Sequence, residues 1–486
     1  MTYITIVLIL LPILVGFCIY LFPKIDRYSA MAVVLMSFAY GLWVILEPPN
    51  LNIQLLNNFG VQLFIDQTSG YLILTNALVT MAVILYCWSS RLSGLFFTQI
   101  LIVHSSLNSI FISQDFISLY VALEVLGIGV FLLIAYPRSD RSIWVGLRYL
   151  FVSNTAMLFY LVGVALVYQA HHSFGFAGLR GSSPEAISLI FMGLLAKGGI
   201  FVSGLWLPMT YAESETPVSA LLSGIVTKAG VFPLVRLALI LPEFSPILSI
   251  FGVAAALLGA IYAIFEQDTK RTLAFSSISQ LGFIIVAPVA GSFYALSHGL
   301  VKSALFLIEG SLPSRDFKQL HQQPINTFLW LILLLASLSI SGFPLLSIFS
   351  AKALVFKDLS TWEDIALNIA SVGTVIYFAK FIFIPHQQSA DSEKFDSHKL
   401  ALLPAIGILF IALICANSLY YESTYSVEKI TKALATIGVG WLAYFLIFKN
   451  SLINLPKTWE KLDHLMGVMT LSLTAIFWLV VWLKIS

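Results

Sequence analysis

The chain has 486 residues, of which 59% are hydrophobic and only 10% charged. A soluble domain carries about a quarter charged residues, so this composition excludes an ordinary soluble enzyme, and it is too apolar for a disordered or fibrous chain. The net charge of +2, with no basic cluster, gives no sign of a nucleic-acid partner.

A membrane-spanning helix needs about 20 mostly apolar residues. Sixteen segments qualify in chain order: 3–22, 28–47, 69–88, 93–112, 115–135, 144–169, 185–206, 216–240, 244–265, 271–290, 293–311, 326–357, 363–385, 400–417, 428–448 and 464–484. The first has no positive side chain before Lys24 and is read as a helix rather than a secretory signal. Segment 93–112 is interrupted by His104 and several serines, and 428–448 starts polar. Residues 50–66 alternate partly around Asn57-Asn58-Phe59-Gly60, which predicts a β-hairpin outside the membrane. The only strongly polar linker is 386–399. Cys18, Cys87 and Cys415 sit in apolar runs at no disulfide or metal spacing.

Lysines and arginines in short loops mark the cytoplasmic side. Lys24, Arg27, Arg91, Arg138, Arg141, Lys270, Arg271, Arg315, Lys318, Lys394, Lys399, Lys449, Lys457 and Lys461 fall on one side. Arg180, Lys357, Lys429, Lys432 and Lys484 fall on the other. Both termini and the hairpin are therefore expected on the non-cytoplasmic side.

Within spans, charge is costly: about 2.5–3.5 kcal/mol for a Lys, Arg or Asp at a helix centre. Glu124, Lys197 and Lys228 are mid-span; His298 and Lys302 are four apart on one helix face; Lys352 lies late in the twelfth segment. A buried lysine suits proton transfer, because burial disfavours its charged form and a nearby carboxylate restores it. Purely structural pairing would account for one such pair; one acid and four lysines in separate apolar segments form a row of ionisable groups that points to conduction. Arg148, Lys380 and Glu309 lie nearer span ends, where snorkelling to the interface would explain them. Two spans look broken, at Gly198-Gly199 directly after Lys197 and at Ser341-Gly342-Phe343-Pro344 before Lys352. Backbone freed inside a membrane is tolerated only in a protein interior or beside water. Broken spans at corresponding places in two halves point to a transporter with inverted repeats. Spans 4–8 and 9–13 each hold five helices, and the breaks fall at the fourth of each set. The organisation expected is 1–92 with the hairpin, 93–240 as first repeat, 244–385 as second, and 400–486 as a C-terminal unit.

WLPMTYAESETPVSALLSGIVTKAGVFPLVR (206–236) resembles the most recognisable stretch of the antiporter-like subunits of respiratory and photosynthetic complex I and of Mrp-type sodium/proton antiporters. DFISLYVALE (115–124), EQDTKRTLAFSSISQLGF (266–283), SHGLVKSALFLIEG (297–310), SISGFPLLSIFSAKALVF (339–356) and Asp66 in FIDQTSGYL are similar to further segments of that family, and the resemblance covers roughly 60–385. It implies an all-α polytopic membrane protein: a 14-helix core with two inverted five-helix repeats, broken helices 7 and 12, and here about two extra C-terminal helices. It implies a proton pathway through Glu124, paired with Lys197, then Lys228, His298, Lys302 and Lys352, with Arg148 as a permanently charged modulator. Lys rather than Glu at 352 leans towards the Mrp D-type branch. The chain departs from the family at Val202-Ser203-Gly204, Tyr211 and Gln280, where histidines or Pro-Leu-His are common; this bears on side access of protons, not on the lysine axis.

The leading expectation is a proton-translocating subunit of a multisubunit cation/proton antiporter, with sodium the first candidate cation. The second is a proton-pumping arm subunit of a complex I-like oxidoreductase, and the third a non-conducting structural subunit. No cofactor or metal site is expected, since the chain has no cysteine cluster and no dinucleotide fingerprint, and no catalytic chemistry of its own. The expected partners are other membrane subunits, protons, a monovalent cation and lipid. The expected location is a bacterial plasma membrane or an internal energy-converting membrane.

Overall fold

The structure, a computed structural model, describes residues 2–56, 60–388, 397–449, 453 and 455–485. Each of the sixteen apolar segments is helical. The chain opens with α1 (Thr2–Leu21) and α2 (Asp26–Leu46), followed by the hairpin strands β1 (Leu51–Leu56) and β2 (Gly60–Ile65). Then come α3 (Gln67–Tyr86), α4 (Gly94–Ile112), α5 (Phe116–Ile134), α6 (Asp140–His171), α7 (Pro184–Gly198) and α8 (Leu207–Glu213). A π-helical stretch, Leu222–Val226, joins α9 (Thr216–Leu221) to α10 (Lys228–Ile240). Next are α11 (Ser245–Phe265), α12 (Thr269–Val286), α13 (Pro288–Glu309) and the single turn α14 (Phe317–Leu320). α15 (Thr327–Ser341), α16 (Ser347–Val355) and α17 (Thr361–Ile382) follow. The C-terminal unit is α18 (Ser397–Ser418), the turn α19 (Tyr421–Thr424), α20 (Val427–Ala443) and α21 (Leu462–Ile485).

The hairpin pairs antiparallel, Leu51 opposite Ile65 and Ile53 opposite Leu63. Its turn at 57–59 and most of the polar linker 386–399 lie outside the described residues. Among the described residues twelve helices are long and apolar enough to cross a membrane, or thirteen with the bent pair Pro184–Gly198 and Phe201–Glu213. The sixteen expected spans exceed this number for a physical reason. α12 and α13 are diluted by serine, glycine and lysine, and α15 and α16 are two short pieces. These elements need not be apolar throughout, because protein surrounds them: every residue of α12 is buried, as is α13 from Gly291 to Glu309.

The helix starts are written locally. The side chains of Asp66, Asp115, Ser183 and Asp268 each accept from a backbone N–H in the first turn of the helix they precede. Ser139 and Ser360 form reciprocal capping boxes.

The two repeats share backbone details. Phe116 N–H donates to Phe174 O and Phe176 N–H to Gln114 O; in the second half Thr269 N–H donates to Arg315 O and Phe317 N–H to Gln267 O. In each case the cap of the repeat's second helix is tied to the loop after its third. The breaks also match. Gly199 (φ +71°) and Gly342 (φ +90°) end α7 and α15 in the left-handed region, which glycine enters without steric cost. Gly199 and Ile200 N–H donate to Ala196 O and Leu195 O, and Gly342 and Phe343 N–H donate to Ser339 O and Leu338 O. Both are Schellman closures. The second interruption runs from Gly342 past Pro344 to α16.

Candidate functional site

Four lysines lie in the interior of this bundle. Lys197 is in the last turn of α7, Lys228 begins α10, Lys302 is on α13 and Lys352 on α16, and all are buried. Among the described residues no carboxylate lies within ion-pair distance of any of them.

Lys197 Nζ donates to Ser153 Oγ at 2.5 Å and to Leu123 O at 3.1 Å, and stands 6.0 Å from the centre of the Tyr149 ring. The expected pairing with Glu124 is therefore not a direct contact. Glu124 is half-buried, and its Oε1 has no hydrogen-bond partner among the described residues. The lysine passes along α5 beside Gly127, whose missing side chain leaves the space: a Cβ there would lie 3.2 Å from Nζ. α7 and α10 approach closely, since a Cβ on Gly230 would fall 2.2 Å from Gly198 N.

Lys228 Nζ donates to Ser223 O in the π-helical stretch at 2.5 Å. Ser223 Oγ hydrogen-bonds Ser277 Oγ on α12 at 2.8 Å. The neighbouring residue, Ser276, accepts from Lys302 Nζ, which also donates to Leu273 O at 2.7 Å. Lys228 and Lys302 are thus tied to one cluster of polar groups where the first repeat meets the second: Lys228 reaches it through the Ser223 carbonyl, and Ser276 and Ser277 meet at Leu273 O, to which both hydroxyls donate. His298, one turn before Lys302, is fully buried with neither ring nitrogen bonded among the described residues. Further on, Tyr294 OH donates to Gln280 Oε1 at 2.5 Å and Gln280 Nε2 to Thr374 Oγ1 at 3.0 Å. Gln280 thus joins a buried network where a histidine was the expected family residue. Tyr211 is buried against Phe306.

Lys352 Nζ donates to Ser341 O at 3.3 Å, and its chain lies beside Gly342. It borders a cavity of about 220 Å³ shared with Lys357, Ser371, Glu428 and Lys432. Lys197, Lys228, His298, Lys302 and Lys352 of the row predicted from sequence are thus interior, Glu124 is half-buried, and α20 lines the Lys352 end.

Three residues assigned to snorkelling do not reach outward. Arg148, Glu309 and Lys380 are buried. Lys380 Nζ donates to the carbonyls of Ala263, Ile264 and Glu266 and so closes the end of α11. Glu309 accepts from Thr269 Oγ1 at 2.6 Å. Arg148 donates to Glu460 O, and Arg271 grips the Glu460 carboxylate through both terminal nitrogens, at 2.5 and 3.0 Å. The Arg148 end of α6 is thus covered by the turn at 458–460. Arg236, buried against Asp66 at 2.9 Å, forms a second cross-chain pair. Sequence reasoning missed Glu460 and Arg236 as partners; the signal available was a cation in an apolar helix that needs a distant acid.

A nearly all-helical bundle with two like-broken repeats and a row of buried lysines defines an integral, multi-pass membrane subunit of the antiporter-like class. Residues 113–377 match the family described as NADH:quinone oxidoreductase/Mrp antiporter, transmembrane. The chain belongs to that family. It is 31% identical over 366 residues to the N subunit of the NADH-quinone oxidoreductase of Desulforudis audaxviator, covering 67% of this chain and 72% of that one. It is 24% identical over 477 residues to the D subunit of the Na(+)/H(+) antiporter of Alkalihalophilus pseudofirmus, covering 87% and 96%. A chain of the membrane-bound sulfane sulfur reductase, an archaeal respiratory membrane complex, superposes with a TM-score of 0.76 at 20% identity, over 90% of this chain and 98% of that one. These relatives are subunits of multisubunit membrane complexes.

Proposed function

We propose that this chain is the proton-conducting subunit of a multisubunit cation/proton antiporter. The observation that carries the reading is that Lys228 and Lys302 are buried with no acid at ion-pair distance among the described residues, on either side of the Ser223, Ser276 and Ser277 cluster between the repeats. A lysine without a fixed acid can exist as ammonium or as neutral amine, and serine hydroxyls both accept and donate. Protons then pass along Glu124, Lys197, Lys228, His298 with Lys302, and Lys352, water completing the longer gaps. Arg148 stays charged and biases Lys197 without carrying the proton. The loop-charge bias supports an orientation with both termini outside, so that the cavity at Lys352 opens on the non-cytoplasmic side. The length of the match to the antiporter's D subunit, reaching into the C-terminal unit, favours ion-gradient drive.

The second reading, a pumping subunit of a redox-driven complex, draws on the likeness to the N subunit of the oxidoreductase. One purification separates the two. Stoichiometric iron or flavin in the native complex selects the redox-driven pump. Their absence from the intact complex, with sodium-dependent proton flux after reconstitution, selects the antiporter. Lys197→Ala and Glu124→Ala are expected to abolish flux while the complex still assembles; normal flux in both sinks the relay.

A further inference from the structure

The family match stops at residue 377, yet the residue to which two of its buried arginines bond, Glu460, lies beyond it. Glu460, in a short 3-10 turn at Thr458–Glu460, is only 3% exposed. Two guanidinium groups converge on it from the two repeats. Arg271 at the start of α12 holds its carboxylate bidentately, and Arg148 on α6 donates to its backbone carbonyl. Arg271 Nε also bonds Glu266 Oε2 at 2.8 Å, and Lys457 stands 3.9 Å from Glu266. Arg148 Nη1 has no hydrogen-bond partner among the described residues, and Arg148 forms no ion pair there. Directly after this turn, α21 packs on α7, on α6, on α11 and on Phe201–Gly204, the stretch that follows the Gly199 break.

The consequence reaches Lys197 through α6. Arg148 is followed by Tyr149, whose ring lies under Lys197, and, one turn on, by Ser153, which accepts from Lys197 Nζ. Fixing Arg148 fixes the helix face that holds the lysine, and α21 covers the break that ends the lysine's own helix. We propose that the C-terminal segment from Thr458 onward is a brace that positions Lys197, with Glu460 its anchor. Glu460 is a positioning residue: it touches neither Lys197 nor the serine cluster. The inference rests on the reading of Lys197 as a proton carrier and assigns a role to the last span.

The test is proton flux in liposomes containing the whole complex, driven by an imposed sodium gradient and read with an entrapped pH dye. Glu460→Gln removes the charge and leaves two buried guanidinium groups facing each other, so flux is expected to drop about ten-fold or more. Glu460→Asp should restore most of it. The flux that remains in Glu460→Gln should show a displaced pH profile, because Lys197 is held differently, and the double variant Glu460→Gln/Arg148→Gln should be no faster than Glu460→Gln alone, because both substitutions break the same link. A residue that merely holds the fold would lower the amount of assembled complex and leave the pH profile of flux per complex unchanged. Wild-type flux in Glu460→Gln overturns the proposal, as does equal loss in Glu460→Asp. If Glu460→Gln fails to assemble, Arg271→Lys decides, since it keeps the charge but loses the bidentate grip. Several-fold slower flux in an assembled Arg271→Lys complex supports the brace, and wild-type flux overturns it. Wild-type flux in Lys197→Ala would instead overturn the underlying reading, and the brace with it.

Discussion

Lys302→Met is the sharpest test of whether these lysines are retained for conduction or for stability. The side chain is fully buried, and its ammonium gives up two hydrogen bonds on substitution, to Leu273 O and Ser276 Oγ. Both partners keep other bonds, because Ser276 Oγ donates to Leu273 O at 2.9 Å and Ser277 Oγ donates to the same carbonyl at 3.0 Å. No acceptor is therefore orphaned. The two lost bonds, each to a charged group, cost about 1.5–3 kcal/mol apiece. Against that, burying one ion carries a penalty of several kcal/mol, and replacing buried ionic groups by apolar residues of similar volume is often neutral or stabilising by about 1–4 kcal/mol. Methionine matches the lysine stem in length and packs adaptably. The expectation is a complex at least as heat-resistant as wild type, and up to about 4 kcal/mol more stable, that conducts at less than about a tenth of the wild-type rate. Thermal unfolding in detergent, followed by tryptophan fluorescence, and liposome flux on the same preparation give the two numbers. A clear fall in the unfolding midpoint would refute the reasoning, since the ammonium would then be part of what holds the bundle together. So would unchanged flux.

The other predictions concern the serine cluster, the break and the caps. Ser277→Ala removes the 2.8 Å bridge to Ser223; losing about 1 kcal/mol should slow flux about five-fold without loss of assembly. Gly199→Ala forces a Cβ into the left-handed region at about 1–2 kcal/mol and within 2.3 Å of Leu207 Cδ1, so the melting midpoint should fall. Gly407→Ala, where an added Cβ meets nothing within 4 Å, is the control expected to hold or raise it. Asp66→Asn strips the acid from Arg236; with Asp66 partly exposed, about 3 kcal/mol of stability should go, read as a lower yield of assembled complex. Glu266, in the loop before α12, is pushed up by burial but pulled down further by Arg271, by Lys457 and by the Asp268 N–H, and stands below the ordinary carboxylate range. A carboxyl depressed on folding stabilises above its unfolded value, about 4.3, and loses that contribution as pH falls through the folded value. Acid dissociation of the complex should therefore set in below about pH 4, and Glu266→Gln should flatten that acid limb.

Much of this architecture could be read directly because a membrane makes charge conspicuous. Lys197, Lys228, Lys302 and Lys352 stand out in apolar runs, and each proved interior. Gly199 and Gly342 were legible for a related reason: a glycine with polar neighbours inside a span has few explanations other than a helix end. The partners were not legible. Ser223, Ser276 and Ser277 are ordinary residues in a helix, and only folding shows that two face one another across the repeats. Glu460 lies far along the chain from Arg148 and Arg271 and sits in a polar loop, so nothing local tied it to them. The same ignorance produced the snorkelling assignment for Arg148, Glu309 and Lys380: nearness to a span end implies reach to water only where no other segment covers that end. The expected spans outnumber the uniformly apolar helices because those sheathed in protein, α12 above all, have no need to be apolar.

The matched helix ends in the two repeats carry a consequence for electrostatics. Lys197 occupies the last turn of α7, and Lys352 reaches back to Ser341 O, the final carbonyl of α15. Each lysine is thus associated with the carboxyl end of a truncated helix, where the summed peptide dipoles act like roughly half a negative charge, worth about 0.3–1 kcal/mol and up to about 2 when partly buried. Such a counter-charge differs from an aspartate or glutamate. It does not titrate and does not swing away. Because it is only a fraction of a unit, an ammonium beside it still leaves the site net positive. On the proposed relay, loading a proton at either end presents neighbouring lysines with a repulsive field instead of a neutral pair, a coupling that needs no helix to move.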